Sequence, residues 1–307
     1  MNYLKDYREG EKFVGTYLCK QKQILKTKAG KTYYSLTLQD KTGTADGKIW
    51  ELNNGIANFE PMDYIHCEGM VTSFQGNLQM NISRVRISDE GEYDPADYVP
   101  CTNKDVGEMF SRILKYVASV QNKYLRKILE MYFVENKEFV DAFKKHSAAK
   151  SVHHGFMGGL LEHTLSVTDM CQYFAEHYPM IHRDLLITAA LFHDMGKIQE
   201  ISDFPMNDYT DDGQLLGHIY IGARCMENAA QIPNFPPKLK NELVHCILAH
   251  HGKMEFGSPK VPAIMEAMAL HMADNADAKL QTLTEVFTQA GDNMGWLGFN
   301  RMFESNL

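Results

Sequence analysis

The stretch LFHDMGKIQE (residues 191–200) decides how the rest of the chain is read. It continues the apolar run LLITAALF and carries His193 and Asp194 side by side, with Lys197 one helical turn beyond His193. The spacing predicts the second half of an amphipathic helix that begins near Asp184. Adjacent helical residues point about 100° apart, so His193 and Asp194 can both reach a metal only from the edge of the buried stripe. Neither belongs on an apolar face unless something satisfies it there, because an unpartnered buried polar group costs about 2–7 kcal/mol. Alone, a His-Asp pair near a helix end is more often a cap or a surface feature.

Its company changes that reading. His163 lies upstream in GGLLEHT, His218 downstream in LLGHIYIGA, His250 and His251 in CILAHHGK, and Asp274 in LHMADNADAK. Each segment has helical periodicity, and each of these residues interrupts an apolar run. Imidazole nitrogens mixed with carboxylate oxygens suit Mn, Fe, Co, Ni or Zn, whereas an all-oxygen set would point to Mg or Ca. The order His … His-Asp … His … His-His … Asp resembles the HD-domain superfamily of metal-dependent phosphohydrolases.

The length of 307 residues suits two domains, each able to bury its own core. Cys19, Cys67, Cys101, Cys171, Cys225 and Cys246 are scattered without a CxxC pair, which excludes a zinc ribbon or disulfide framework and fits a reducing cytoplasm. The charged start MNYLKDYREGEKF lacks the apolar core of a signal peptide, and no run reaches the length of a membrane span. A soluble cytoplasmic protein is expected. The net charge of −8 speaks against nucleic acid as a partner, yet residues 12–48 hold eight lysines against only Asp40 and Asp46. Residues 91–307 are acidic and hold twelve of the thirteen histidines. The chain has a basic front and an acidic, histidine-rich body.

From Phe13 to about Ser88 the pattern alternates and is rich in β-branched residues. FVGTYLCKQKQILKT reads as a first strand with a bend, KTYYSLTLQDKTGTADGKIW as two strands, and YIHCEGMVTSFQGNLQMNISRVRIS as two more joined through Gln75-Gly76-Asn77. Five short strands fit a small closed barrel of the OB type. YSLTLQDKTGTADGKIW resembles the nucleic-acid-binding OB-fold family, in which strands 2 and 3 supply the binding face. Tyr33, Tyr34, Lys48, Trp50 and Phe74 are the stacking and phosphate-contacting candidates that this implies. Alternation means that Tyr33 and Tyr34 cannot both face inward.

The expected division is a barrel over residues 1–90, a linker over 91–103 with two prolines and an acidic cluster, and an all-α domain over 104–307. VGEMFSRILKYVASVQNKYLRKILEMYF has helical spacing, and a second helix is expected around Glu138–His146. His153 and His154 sit in a loop, SAAKSVHHGFMGGLLEHT, and read as surface or packing histidines. Gly155, Gly158 and Gly159 in that loop permit close backbone approach. His245, His271 and Asp277 lie near the pattern without belonging to it, although His271 and Asp277 could orient its members from behind. The apolar, aromatic stretch MGWLGFNRMF would dock against the fold or a neighbouring subunit, so a homo-oligomer is compatible with the sequence.

A barrel followed by HHGFMGGLLEHT and HDMGK resembles the YhaM-type 3′→5′ exoribonucleases of Gram-positive bacteria over almost the whole chain. The resemblance implies hydrolysis of single-stranded RNA from the 3′ end to nucleoside 5′-monophosphates by metal-activated water, with Mn²⁺ favoured and single-stranded DNA left open as a second substrate. The superfamily pattern implies one metal held by His163, His193, Asp194 and Asp274. A second would be held by His218 together with one or both of His250 and His251, with Asp194 bridging. Lys197 then reads either as a point charge for the scissile phosphate or as a cation at a helix C-terminus. The chemistry agrees, because phosphodiester hydrolysis needs a strong nucleophile and neutralisation of developing charge, and divalent ions provide both. A phosphohydrolase of small nucleotides with a regulatory barrel, and a non-catalytic single-strand binder, are the competing classes.

Overall fold

A computed structural model of the chain describes residues 2–53, 55–74, 76–150, 154–291, 295–301 and 303–307. Gln75 in the expected turn, His153, and Met294 and Met302 of the terminal apolar stretch lie outside them. The chain forms two compact units. The first runs to Cys101 and includes Phe204–Met206; the second comprises Thr102–Asp203 and Asn207–Leu307.

The first unit is a closed barrel that contains, among the described residues, five strands: β1 (Lys12–Lys26), β2 (Thr32–Asp40), β3 (Gly43–Ile49), β4 (Tyr64–Phe74) and β5 (Asn77–Ile87), ordered β1-β2-β3-β5-β4. β1 is long because it serves two neighbours. Lys12–Leu18 pairs with β4 and Leu18–Lys26 with β2, and a register shift between Cys19 and Gln21 turns the strand from one to the other. A second shift falls at Glu68/Gly69, where a Cβ on Gly69 would lie 2.0 Å from the Asn81 carbonyl oxygen. The parallel β3–β5 pair closes the OB-like barrel. Phe13, Tyr17, Leu36, Leu38, Ile49, Ile65 and Val85 fill its interior. Tyr93 stacks on Tyr64 at 4.0 Å and Tyr98 is buried, so part of the stretch read as a linker packs onto the barrel.

The second unit is helical: α1 (Val106–Ser119), α2 (Lys123–Glu130), α3 (Lys137–Lys145), α4 (Gly159–His177), α5 (Arg183–Phe192), α6 (Lys197–Glu200), α7 (Asp211–Ala229), α8 (Pro237–Ala249) and α9 (Met265–Ala290). A two-residue strand pair, Phe299–Asn300 with Ser305–Asn306, follows α9. The single helix expected after Val106 is broken at Val120–Asn122. The Asn122 side chain caps α2, and Asp184 accepts from the main-chain N–H groups of Gln121 and Asn122 at 2.8 and 2.7 Å. The core runs through α1, α2, α4, α5, α8 and α9, around Leu129, Phe133, Leu161, Leu186, Phe192 and Ile247. Among the described residues no helix is long and apolar enough to cross a membrane.

The decisive stretch is not one helix. α5 stops at Phe192, His193–Gly196 form a tight turn with i→i+3 bonds from Met195 and Lys197, and α6 follows. Gly196 explains the tightness: a Cβ there would lie 2.1 Å from the His218 carbonyl oxygen, so this backbone presses directly on α7. The turn, rather than a helical stripe, sets the directions of His193 and Asp194.

Candidate metal centre

Asp194 is the hub. It is 2 % exposed, and its two oxygens face opposite groups of residues. Oδ2 lies 3.4 Å from His163 Nε2 and 3.5 Å from His193 Nε2, and Asp274 Oδ1 lies 3.2 Å from that same His163 nitrogen. Oδ1 lies 3.6 Å from both His218 Nε2 and His250 Nε2. The ring of His251 completes this second group, with centroids 4.3 Å from His250 and 5.1 Å from His218. Of three groups with metal-ligand geometry among the described residues, two are made of these residues, His163/His193/Asp274 and Asp194/His218/His250/His251; the third, His154/His163/Asp277, shares only His163 with them. The structure thus brings together all seven histidine and aspartate candidates read from the sequence.

The orientation of each imidazole has a physical cause. In all five rings Nδ1 faces an acceptor: Asp277 for His163 (2.7 Å), the Ala190 carbonyl for His193 (2.8 Å) and Glu200 for His218 (2.9 Å). The Ile247 carbonyl serves His250 (2.7 Å) and the Phe256 carbonyl serves His251 (2.8 Å). Nδ1 therefore carries the proton, and the Nε2 lone pairs turn inward. Asp194 Oδ1 and Oδ2, His218 Nε2 and His250 Nε2 are buried without a hydrogen-bond partner. Buried polar atoms are otherwise almost always paired, and converging lone pairs with carboxylates form a donor set for a divalent cation. α5 and α8 also end at His193 and His250, so two helix C-termini add negative potential there.

Electrostatics agrees. Burial opposes a charge on His163, but Asp194, Asp274 and Asp277 overcome it and raise its pKa well above the ordinary value. His193 is pushed down to about 4 and His251 to about 3, in both cases chiefly by burial. Burial would raise the pKa of Asp194, yet Lys197 and the histidines hold it well below the usual carboxylate range. Lys197 opens α6 instead of closing a helix; its Nζ lies 2.7 Å from Asp194 Oδ2, off the line of a hydrogen bond, and its side chain is 12 % exposed.

On the barrel, the rows that point outward across β2, β3, β5 and β4 follow from the register. One row is Ser35, Lys48, Asn81 and Met70; the next is Thr37, Asp46, Gln79 and Thr72. Tyr33 stacks on Trp50 at 4.6 Å, and the Trp50 indole donates to Asn81 at 3.1 Å. Lys48 is engaged by Asp46 (2.6 Å) and Ser35 (2.7 Å). Phe74, 61 % exposed, lines a cavity of about 620 Å³ with Leu78 and Gln79. Tyr34 turns the other way: it packs edge-on to Phe59 against the core, with Lys22 Nζ 4.8 Å from its ring centroid.

The HD domain family model matches residues 160–279, a span that encloses every residue of the two clusters. The chain is 32 % identical over 256 residues to 3′-5′ exoribonuclease YhaM of Geobacillus sp. (strain WCH70), covering 83 % of this chain and 78 % of that one. It is also 32 % identical to YhaM of Bacillus subtilis (strain 168) over 257 residues, 83 % of this chain and 81 % of the relative. Against YhaM of Listeria innocua the 32 % identity extends over 292 residues, 92 % and 90 % of the two chains. The chain belongs to the YhaM family.

Sequence reading overlooked three supports of this YhaM-family centre. Glu200 lies within the opening stretch, but nothing in its spacing showed that it would accept from both the ring and the main-chain N–H of His218, each at 2.9 Å. His154 is buried, not on the surface, and donates to Asp277 at 2.9 Å. Ser166, one turn after His163, donates to the other oxygen of Asp277. His271 supports the His250 carbonyl at 2.9 Å, and His245 accepts from the Ala263 N–H. The HHG doublet was legible as chemistry; its carbonyl anchors were not.

Proposed function

We propose that the chain is a 3′-5′ exoribonuclease that shortens single-stranded RNA from the 3′ end to nucleoside 5′-monophosphates in the cytoplasm, with single-stranded DNA a candidate second substrate. The observation that carries this reading is the division of Asp194, one oxygen toward each cluster, which suits a carboxylate shared by two cations. His163, His193, Asp194 and Asp274 would hold one ion; Asp194, His218, His250 and His251 would hold the other. The donor set is nitrogen and oxygen without thiolate, and we assign Mn²⁺ to it ahead of Fe, Co, Ni or Zn. When bound, such ions neutralise the phosphodiester and make water a competent nucleophile.

The chain's own residues supply the rest. Asp277 and Glu200 fix the tautomers of His163 and His218, so that the Nε2 atoms are ready to bind. Lys197, buried beside Asp194, would face a phosphate oxygen as a compact charge. In this division of labour residues 1–90 hold the strand and residues 104–307 hydrolyse it. Tyr33, Trp50 and Phe74 would stack bases and Lys48 would meet phosphate, while Tyr34, half-buried against the core, would offer them less of its ring. The test is end-labelled RNA and DNA single strands incubated with each divalent ion, with products resolved by length. Stepwise shortening from the 3′ end is expected. Attack on free nucleotides with intact oligonucleotides would overturn the reading in favour of a small-nucleotide phosphohydrolase.

A further inference from the structure

We propose that the loop Lys253–Gly257 holds the 3′-terminal nucleotide, its base stacked on the Phe256 ring and its phosphate flank met by Lys253. The inference rests on the exonuclease reading above and adds a substrate-contacting element to it. The loop is tied to the metal centre through main-chain atoms. His251 Nδ1 donates to the Phe256 carbonyl at 2.8 Å, and the His251 ring belongs to the cluster around Asp194. Gly252 has φ +78°, and a Cβ on it would lie 2.3 Å from the His271 ring, so the loop leaves α8 pressed against α9. Its base is fixed, yet its side chains point to solvent.

Those side chains are of the type that binds nucleotides. Met254 is 72 % and Phe256 56 % exposed, although an aromatic ring gains by burial. Lys253 Nζ stands 5.3 Å from the centroid of the Phe256 ring and 3.1 Å from Glu255 Oε1, which places cation and π-face together, in an exposed ion pair weak enough for a phosphate to displace. Across residues 151–307 acidic residues outnumber basic ones about two to one, whereas residues 252–260 carry Lys253 and Lys260 against Glu255 alone. A local basic and aromatic element beside an acidic metal centre fits a polyanion with stacking bases. A π-face also suits an enzyme that must accept each base in turn, because stacking is tolerant of sequence.

Phe256→Ala tests this in the full chain, since the substitution keeps the carbonyl that orients His251. Bound metal, measured by elemental analysis, should stay at the wild-type level. KM for an RNA oligonucleotide should rise by about 5- to 150-fold, the loss expected for one base stack, and Phe256→Trp should restore it. An RNA ending in a 3′ abasic nucleotide should lower the wild type to the variant's level and leave the variant unchanged. If the wild type shortens RNA and Phe256→Ala does so with unaltered KM, the stacking role is overturned while the exonuclease reading stands. An equal loss for both proteins on the abasic end overturns it too, as does a changed oligomeric state without a change in KM. Failure of the wild type to shorten RNA overturns both.

Discussion

Replacing Gly196 with Ala should remove one metal ion without altering any ligand side chain. The new Cβ would lie 2.1 Å from the His218 carbonyl oxygen, 2.8 Å from its carbon and 2.9 Å from the Gly222 nitrogen. All three are backbone atoms and cannot rotate away. Reaching a tolerable contact requires the turn and α7 to part by about 1 Å, at a cost of about 1–3 kcal/mol for overpacking. His218 Nε2 stands 3.6 Å from Asp194 Oδ1, and that separation would grow toward about 4.6 Å. Two ligands bound to one ion at about 2.1 Å each cannot be more than about 4.2 Å apart, so the second cluster loses its grip. Misplacement of this size costs about 10²-fold in rate. Elemental analysis after gel filtration should give one ion per chain fewer than in the wild type, with slower shortening of labelled RNA and a lowered Tm. Two tightly held ions and wild-type activity in the variant would refute the reasoning, because the close approach would then place no constraint on the centre.

Further substitutions probe the remaining parts. Glu200→Gln keeps the shape but weakens the acceptor behind His218, and affinity for one of the two ions should fall about 10- to 100-fold in a chelator competition; unchanged affinity would show that Glu200 does not act through His218. Trp50→Ala breaks the stack with Tyr33 and should weaken binding of a long single strand by about 1–3 kcal/mol in a fluorescence titration, while hydrolysis of a small phosphodiester is retained. Equal defects on both substrates would place Trp50 in barrel stability instead. The raised pKa of His163 also sets a sign: a group raised on folding stabilises the metal-free fold below its unfolded value near 6.5, and that contribution is lost as pH rises through the folded value. A metal must displace that proton, so metal affinity should weaken as pH falls, and calorimetry in buffers of different ionisation heat should detect proton release on loading.

The ligands were legible because histidine and aspartate are conspicuous inside apolar runs such as LLITAALF and CILA. The five strands were legible from alternation and turn residues. What escaped the sequence was carried by main-chain atoms or by contacts between distant segments. No residue type announces that the Ala190, Ile247 and Phe256 carbonyls hold three imidazoles. His154 looked like a loop histidine because Asp277, its partner, lies 123 positions away. The break of α5 at Phe192 was hidden because the apolar periodicity runs up to it, and its cause, the approach of Gly196 to His218, is a tertiary contact.

Those carbonyl anchors bear on how such a centre withstands genetic drift. Three of the five histidines are steadied by oxygens that every amino acid possesses, two of them the loose carbonyls near the ends of α5 and α8. Substitution at position 190, 247 or 256 can change what surrounds the imidazole but cannot delete its acceptor. The other two histidines depend on Asp277 and Glu200, whose carboxylates a single base change can remove. Harmful variation should therefore concentrate at those two carboxylates. A transplant of the centre into another scaffold would need helix ends of the right direction before it needed any particular neighbouring side chain.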